Sequence, residues 1–139
     1  MGLKKVISED VALDSLELFV NKWVKKPAPK DELKESYSDV FDAICDGLLV
    51  FDEKQNPSYS LKEAIKSDTG NVVVDKLSFR TRIHPSTLAD ISEGLNPQKQ
   101  MFKLQLRMTS YIIDQPIAML DKFGRYDYDV VSQLAAVFF

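Results

Sequence analysis

Cysteine and histidine each occur once in this chain of 139 residues, as Cys45 and His84. A single cysteine excludes an intrachain disulfide and leaves a cysteine-based zinc site without its other ligands. A single histidine excludes a histidine pair on a metal, so any imidazole relay would rest on His84 alone. His84 precedes Pro85, which suits a strand end or loop. The five glycines form no P-loop, GxGxxG or GxSxG pattern, there is no HExxH, and the glycines read as punctuation. No apolar run approaches the length of a membrane span. Glu9, Asp10 and Asp14 prevent an apolar run after Lys4 and Lys5, so a secretory leader is not expected. A net charge of -3 opposes sequence-independent attraction to nucleic acid. The composition therefore points to a cytoplasmic protein that takes neither nucleic acid nor a membrane as partner, needs no metal or cofactor, and works without catalysis.

What the chain does contain is enough apolar side chain to fold, at 45% hydrophobic and 28% charged residues. Leu13, Leu16, Val20 and Trp23 recur at helical spacing, with acids early and Lys22, Lys25 and Lys26 late, as the helix dipole favours. Pro27 and Pro29 end that helix. Asp31 is placed to cap a second one, whose stripe Leu33, Tyr37, Val40, Phe41, Ile44 and Leu48 keeps one period until Gly47 stops it. Short β-like runs come next at 48–51 and 59–65. After the Gly70 turn lies an alternating run from Val72 to Ile83, with Leu77, Phe79 and Thr81 on one side and Ser78, Arg80 and Arg82 on the other.

The helical period returns from Pro85. Ser86 or Thr87 begins a short helix closed by Gly94, Asn96 and Pro97 open one running to Asp114, Pro116 starts another, and Asp127 caps the last. The fold class expected is α+β: N-terminal helices, a small antiparallel hairpin or meander, and a C-terminal helical bundle. Residues 1–55 read as an N-terminal helical segment and 56–139 as the hairpin with the C-terminal helices, the two forming one compact unit.

Charged clusters have ordinary explanations beside sharper ones. Asp39, Asp42 and Asp46 share a helix face and could hold a hard cation, but a solvated surface accounts for them. Asp127 and Asp129 sit where first-turn acids belong. Lys99, Lys103 and Arg107 form a basic stripe, either solvated or turned to an acidic partner. The apolar surplus is more pointed. The helix before Asp114 carries Met101, Leu104, Met108, Tyr111 and Ile112 on one face and Phe102, Leu106 and Ile113 on another. It is either central to its own domain or shared between core and partner. Val137, Phe138 and Phe139 end the sequence without a polar tail, so their apolar surface is expected to be covered in cis or in trans.

Residues 59–139 carry a resemblance. Tyr59, Leu61 and Ile65, the turn at Gly70, Val74, Leu77, Phe79 and Arg80, then Pro85, Leu88 and Asp90, with Ile117 to Asp121 and Tyr126 to Val131 near the end, are similar to the small tail assembly proteins of contractile-tailed, Mu-like bacteriophages. That resemblance implies a hairpin succeeded by helices, and a tail assembly chaperone of the host cytoplasm that holds the tape measure protein until the tail tube polymerises around it. The contact residues it implies are Met101, Leu104, Met108, Tyr111, Phe138 and Phe139. The competing expectation is a structural tail component, a terminator or adaptor, retained in the virion; an enzyme built on His84 comes third. Self-association into a homo-oligomer is open under either leading reading.

Overall fold

The structure is a computed structural model that describes residues 7–96 and 98–138. Lys4, Lys5, the helix-opening Pro97 and the expected contact residue Phe139 lie outside the described residues. Along the chain run α1 (Glu9–Trp23), α2 (Lys30–Ser36), α3 (Ser38–Cys45), β1 (Leu49–Phe51), β2 (Pro57–Lys66), β3 (Val72–Ser78), α4 (Pro85–Ser92), α5 (Met101–Ile113), α6 (Ile117–Leu120) and α7 (Arg125–Ala136). The class is α+β, with N-terminal helices, an antiparallel sheet in the order β1-β2-β3, and C-terminal helices.

The first helix begins where Ser8 accepts from the Val11 N–H and ends before the prolines. Its stripe of Ala12, Leu16, Phe19 and Val20 is fully buried. The expected second helix is two helices. Tyr37 adopts φ -129°, ψ 47° and breaks the period between α2 and α3. Asp31 lies in the first turn of α2, behind a Pro29 N-cap, and makes no capping bond. The break leaves the first N–H groups of α3 in need of acceptors, and Gln133 of α7 supplies one, its Oε1 accepting from the Val40 N–H at 2.8 Å.

The sheet is antiparallel, with register shifts between β2 and β3 on either side of Ile65, the larger of them between Ser60 and Ile65. Ser60 pairs with Lys76 and Ile65 with Val74, so residues 61–64 of β2 stand opposite Asp75 alone. This bulge resets the side-chain alternation, and Leu77 and Val74, an odd number of positions apart, both turn inward. It also releases N–H groups from the ladder. Those of Lys62 and Glu63 donate to the two carboxylate oxygens of Asp127, at 2.8 and 3.0 Å, and the Tyr59 hydroxyl donates to the same carboxylate at 2.6 Å. Tyr59 and Asp127 are essentially sealed from solvent. The expected cap role of Asp127 is not met. Gly124 is the N-cap of α7 instead, and Asp127, in the first turn, joins helix to sheet.

The strand expected to reach Ile83 stops at Ser78. Beyond it the Arg80 N–H donates to the Ile112 carbonyl of α5 at 2.7 Å, so the backbone leaves the sheet for a helix end. Downstream, α4 begins on Pro85 itself rather than on Ser86 or Thr87. The Asn96 side chain accepts from Gln98, and α5 starts only at Met101. A single core cluster takes buried side chains from Ala12 through Ala135, from N-terminal helices, sheet and C-terminal helices. Phe19 stacks on Phe51 at 4.5 Å, and Phe138 meets Phe19 and Trp23 edge-on at 6.0 and 5.4 Å. No described helix is long and apolar enough to cross a membrane.

The polar seams can be tested by substitution. Asp127→Ala leaves two part-buried peptide N–H groups and a buried phenol without their acceptor, and should lower stability by about 3–5 kcal/mol in urea unfolding. Burial, then the bond to Asp127, pushes the Tyr59 phenol far above its ordinary 10.0. Burial, then a 2.6 Å bond to Asp46, does the same to Tyr126. The folded chain thus keeps protons that the unfolded chain loses above about pH 10, and stability should fall as pH rises past that point. Tyr126→Phe should start less stable at neutral pH and show a shallower alkaline decline of the urea midpoint.

Candidate functional site

The apolar surplus of α5 divides along the helix rather than around it. Its C-terminal half is core: Met108, Thr109, Ile112 and Ile113 are buried. Its N-terminal half is not. Met101 is 50% and Phe102 63% exposed, and Leu104 is half-buried. The contact residues named from sequence therefore separate. Met101 and Leu104 are offered to solvent, whereas Met108 belongs to the interior. The Tyr111 ring lies beneath the Arg80 guanidinium, 4.7 Å from ring centroid to Cζ. Phe138 packs on its own chain against Phe19 and Trp23, which is cover in cis. Phe102, which the sequence put on a secondary face, is the most exposed large hydrophobic residue described.

Polar links hold the buried end of α5. Arg80 donates from Nε to the Tyr111 carbonyl at 2.9 Å and from Nη2 to Asp114 at 2.8 Å. Asp114 ends the helix in the left-handed region at φ 56°, a conformation that aspartate tolerates better than most residues. Arg107, one member of the expected basic stripe, donates from Nη1 to the carbonyls of Ile91 and Glu93, both at 3.0 Å. It thereby caps the end of α4, while Lys99 and Lys103 remain exposed. That tie matters because α4 has no buried residue of its own.

Beside Phe102 a groove of about 420 Å³ runs between α5 and α7. Phe102 and Thr109 line one wall, Tyr128, Ser132 and Ala136 the other, and Asp39 of α3 and Asp129 of α7 supply carboxylates. Partial burial raises the Asp39 pKa, and the negative charges of Asp129 and Asp42 add to it, against a smaller opposing effect of Arg125. Tyr128 is raised as well, by burial and then by Asp129. Arg125 pairs with Asp129 at 3.2 Å as an i,i+4 contact, but its side chain is 93% exposed. Such a pair is worth only about 0.3–0.5 kcal/mol. The groove is therefore apolar at Phe102, Tyr128 and Ala136, polar but uncharged at Gln105, Thr109, Ser132 and Gln133, and acidic at Asp39 and Asp129.

The three aspartates expected on one helix face do different things. Asp39 lines the groove, Asp42 is exposed, and Asp46 accepts from the Tyr126 hydroxyl. No group of three or more His, Cys, Asp or Glu side chains among the described residues is arranged to hold a metal ion. His84 is exposed at the N-cap of α4, and Cys45 is buried in the core.

The raised Asp39 carboxyl carries a sign that can be measured. Folded Asp39 holds its proton to a higher pH than the unfolded residue, whose value is 3.8. Stability attributable to this group therefore falls as pH rises through the window just above that value, and neutral pH carries the full penalty. Asp39→Asn should be slightly more stable than the parent at pH 7 in thermal or urea unfolding, with the advantage gone below about pH 3.

Compared with protein-family models, curated proteins and solved structures, the chain matches none.

Proposed function

We propose that this chain is a non-catalytic protein-binding module, acting as a tail assembly chaperone that holds the tape measure protein of a contractile-tailed bacteriophage in the host cytoplasm before the tube polymerises. The observation that carries the binding reading is the exposed start of α5. Met101 and Phe102 stand 50% and 63% exposed on a helix whose other half is buried. Large apolar side chains left in water on a rigid mount are what a partner covers. Methionine adapts to irregular partner surfaces, and an aromatic ring supplies contact area with few torsions to freeze. Two further exposed residues, Leu88 of α4 and Ile117 of α6, lie on elements that pack against α5.

The phage assignment comes from the resemblance over residues 59–139, and the element order is compatible with it: a strand pair about a glycine turn at Gly70, φ 87°, then helices. A holding chaperone needs reversible apolar contact and no reacting group. The test is co-purification with the tape measure protein of a contractile-tailed phage. Met101→Asp and Phe102→Asp should each weaken capture by about tenfold or more while leaving the melting temperature nearly unchanged, since neither side chain is buried. Met108→Asp is unsuitable, because Met108 is buried and a carboxylate there would destabilise the fold itself. Capture unaffected by both exposed-site variants would refute the assignment of these contacts. The protein's presence at fixed copy number in purified virions would favour a structural tail component instead.

A further inference from the structure

We propose that the α5–α7 groove seats about two turns of an amphipathic partner helix, an apolar side chain lying on Phe102 and Tyr128 and a lysine or arginine reaching Asp129 and Asp39. The inference deepens the binding reading above and rests on it. The dimensions of the groove suit such an occupant. Phe102 to Thr109 on one wall and Tyr128 to Ala136 on the other each span about 11–12 Å at 1.5 Å per residue, the length of two helical turns.

Backbone chemistry selects the shape of the occupant. Both walls are helices whose interior peptide groups are already bonded, so the groove offers no strand edge for an extended peptide to pair with. A segment entering it must satisfy its own N–H and C=O groups, as a helix does. Charge selects the sequence of the occupant. Asp39 and Asp129 face the groove, Asp42 adds to the negative potential on Asp39, and the one opposing cation acting on that carboxyl, Arg125, is 93% exposed. An incoming ammonium or guanidinium gains both carboxylates and displaces only a weak i,i+4 partner, whereas a carboxylate there would be repelled.

Two synthetic helical peptides of about 18 residues, long enough to hold a helix, provide the probe. Both carry the same leucine and phenylalanine stripe, one with lysines flanking it and the other with glutamates. With isotope-labelled protein, the lysine peptide should shift the amide resonances of Thr109, Ser132 and Ala136 and bind at least about tenfold tighter than the glutamate peptide. Asp39→Asn with Asp129→Asn should erase that preference, and Phe102→Asp should abolish binding, with melting temperatures showing each variant folded. Equal affinity for the two peptides, absence of binding, or shifts confined to another surface would overturn the inference. So would concentration-dependent dimerisation that Phe102→Asp abolishes, which would assign the groove to a second copy of the chain. The tape measure protein is tested separately with the same variants. Capture of it that ignores the two aspartates defeats the groove chemistry and leaves the chaperone reading standing; selective lysine-peptide binding with no capture does the reverse.

Discussion

The Asp127 carboxylate is buried at the point where three donors converge, and the mutual placement of sheet and helices depends on it. The bulge in β2 turns the part-buried Lys62 and Glu63 N–H groups out of the ladder, where they need another acceptor. An aspartate in the first turn of α7 takes both and the Tyr59 hydroxyl, near the helix end whose dipole favours an anion. Each half satisfies the polar groups that the other would leave unpaired. The bulge needs the acid, and the acid, enclosed as it is, needs all three donors. The same helix reaches α3 through Gln133 and packs along α5. One carboxylate therefore sets where α7 lies, and α7 sets both the core contact with α3 and one wall of the groove.

Much of the fold was legible because its signals are local. Helix periods, the proline stops and the glycine turns at Gly47, Gly70 and Gly94, all with positive φ, need only neighbouring residues to act. What escaped reading is decided across the chain. Tyr37 breaks a continuous apolar stripe because Gln133, far off in sequence, provides the acceptor that a new helix start requires. Asp127 reads as a cap by position, and nothing local reveals a bulge awaiting it. Arg80 and Arg107 look like solvated charges on alternating or helical faces, yet both cap helix ends on other elements.

The candidate site was half legible for a related reason. A helical wheel resolves direction around an axis but not burial along it, so α5 read as a helix with two apolar faces. Its neighbours cover it from Met108 onward and leave Met101 and Phe102 uncovered. Phe138 read as apolar surface to be covered in cis or in trans, and only the fold decides between the two: Trp23 and Phe19 meet it edge-on within its own chain. The acidic side of the groove required α3 and α7 to be adjacent, which no spacing in the sequence encodes.

The lengthwise division of α5 also bears on how tightly its exposed end can bind. A segment that folds only on contact gives up part of its interaction energy to ordering. Here that cost is already met by the fold. Arg80 grips the helix at Tyr111 and Asp114, and Met108, Ile112 and Ile113 are sunk in the interior. The first turns are therefore helical before any partner arrives, and only the Met101 and Phe102 rotamers remain to be fixed. A small contact area can then suffice for capture, and its smallness keeps release easy, a combination suited to a holder that gives up its cargo. Uncovered phenylalanine is a standing risk of self-association. The exposed Lys99 and Lys103 nearby carry like charge toward any second copy approaching by the same face. Toward the Asp39 and Asp129 carboxylates of a second copy those lysines would instead be attracted, so the face that a second copy presents decides whether the chain repels or docks on itself.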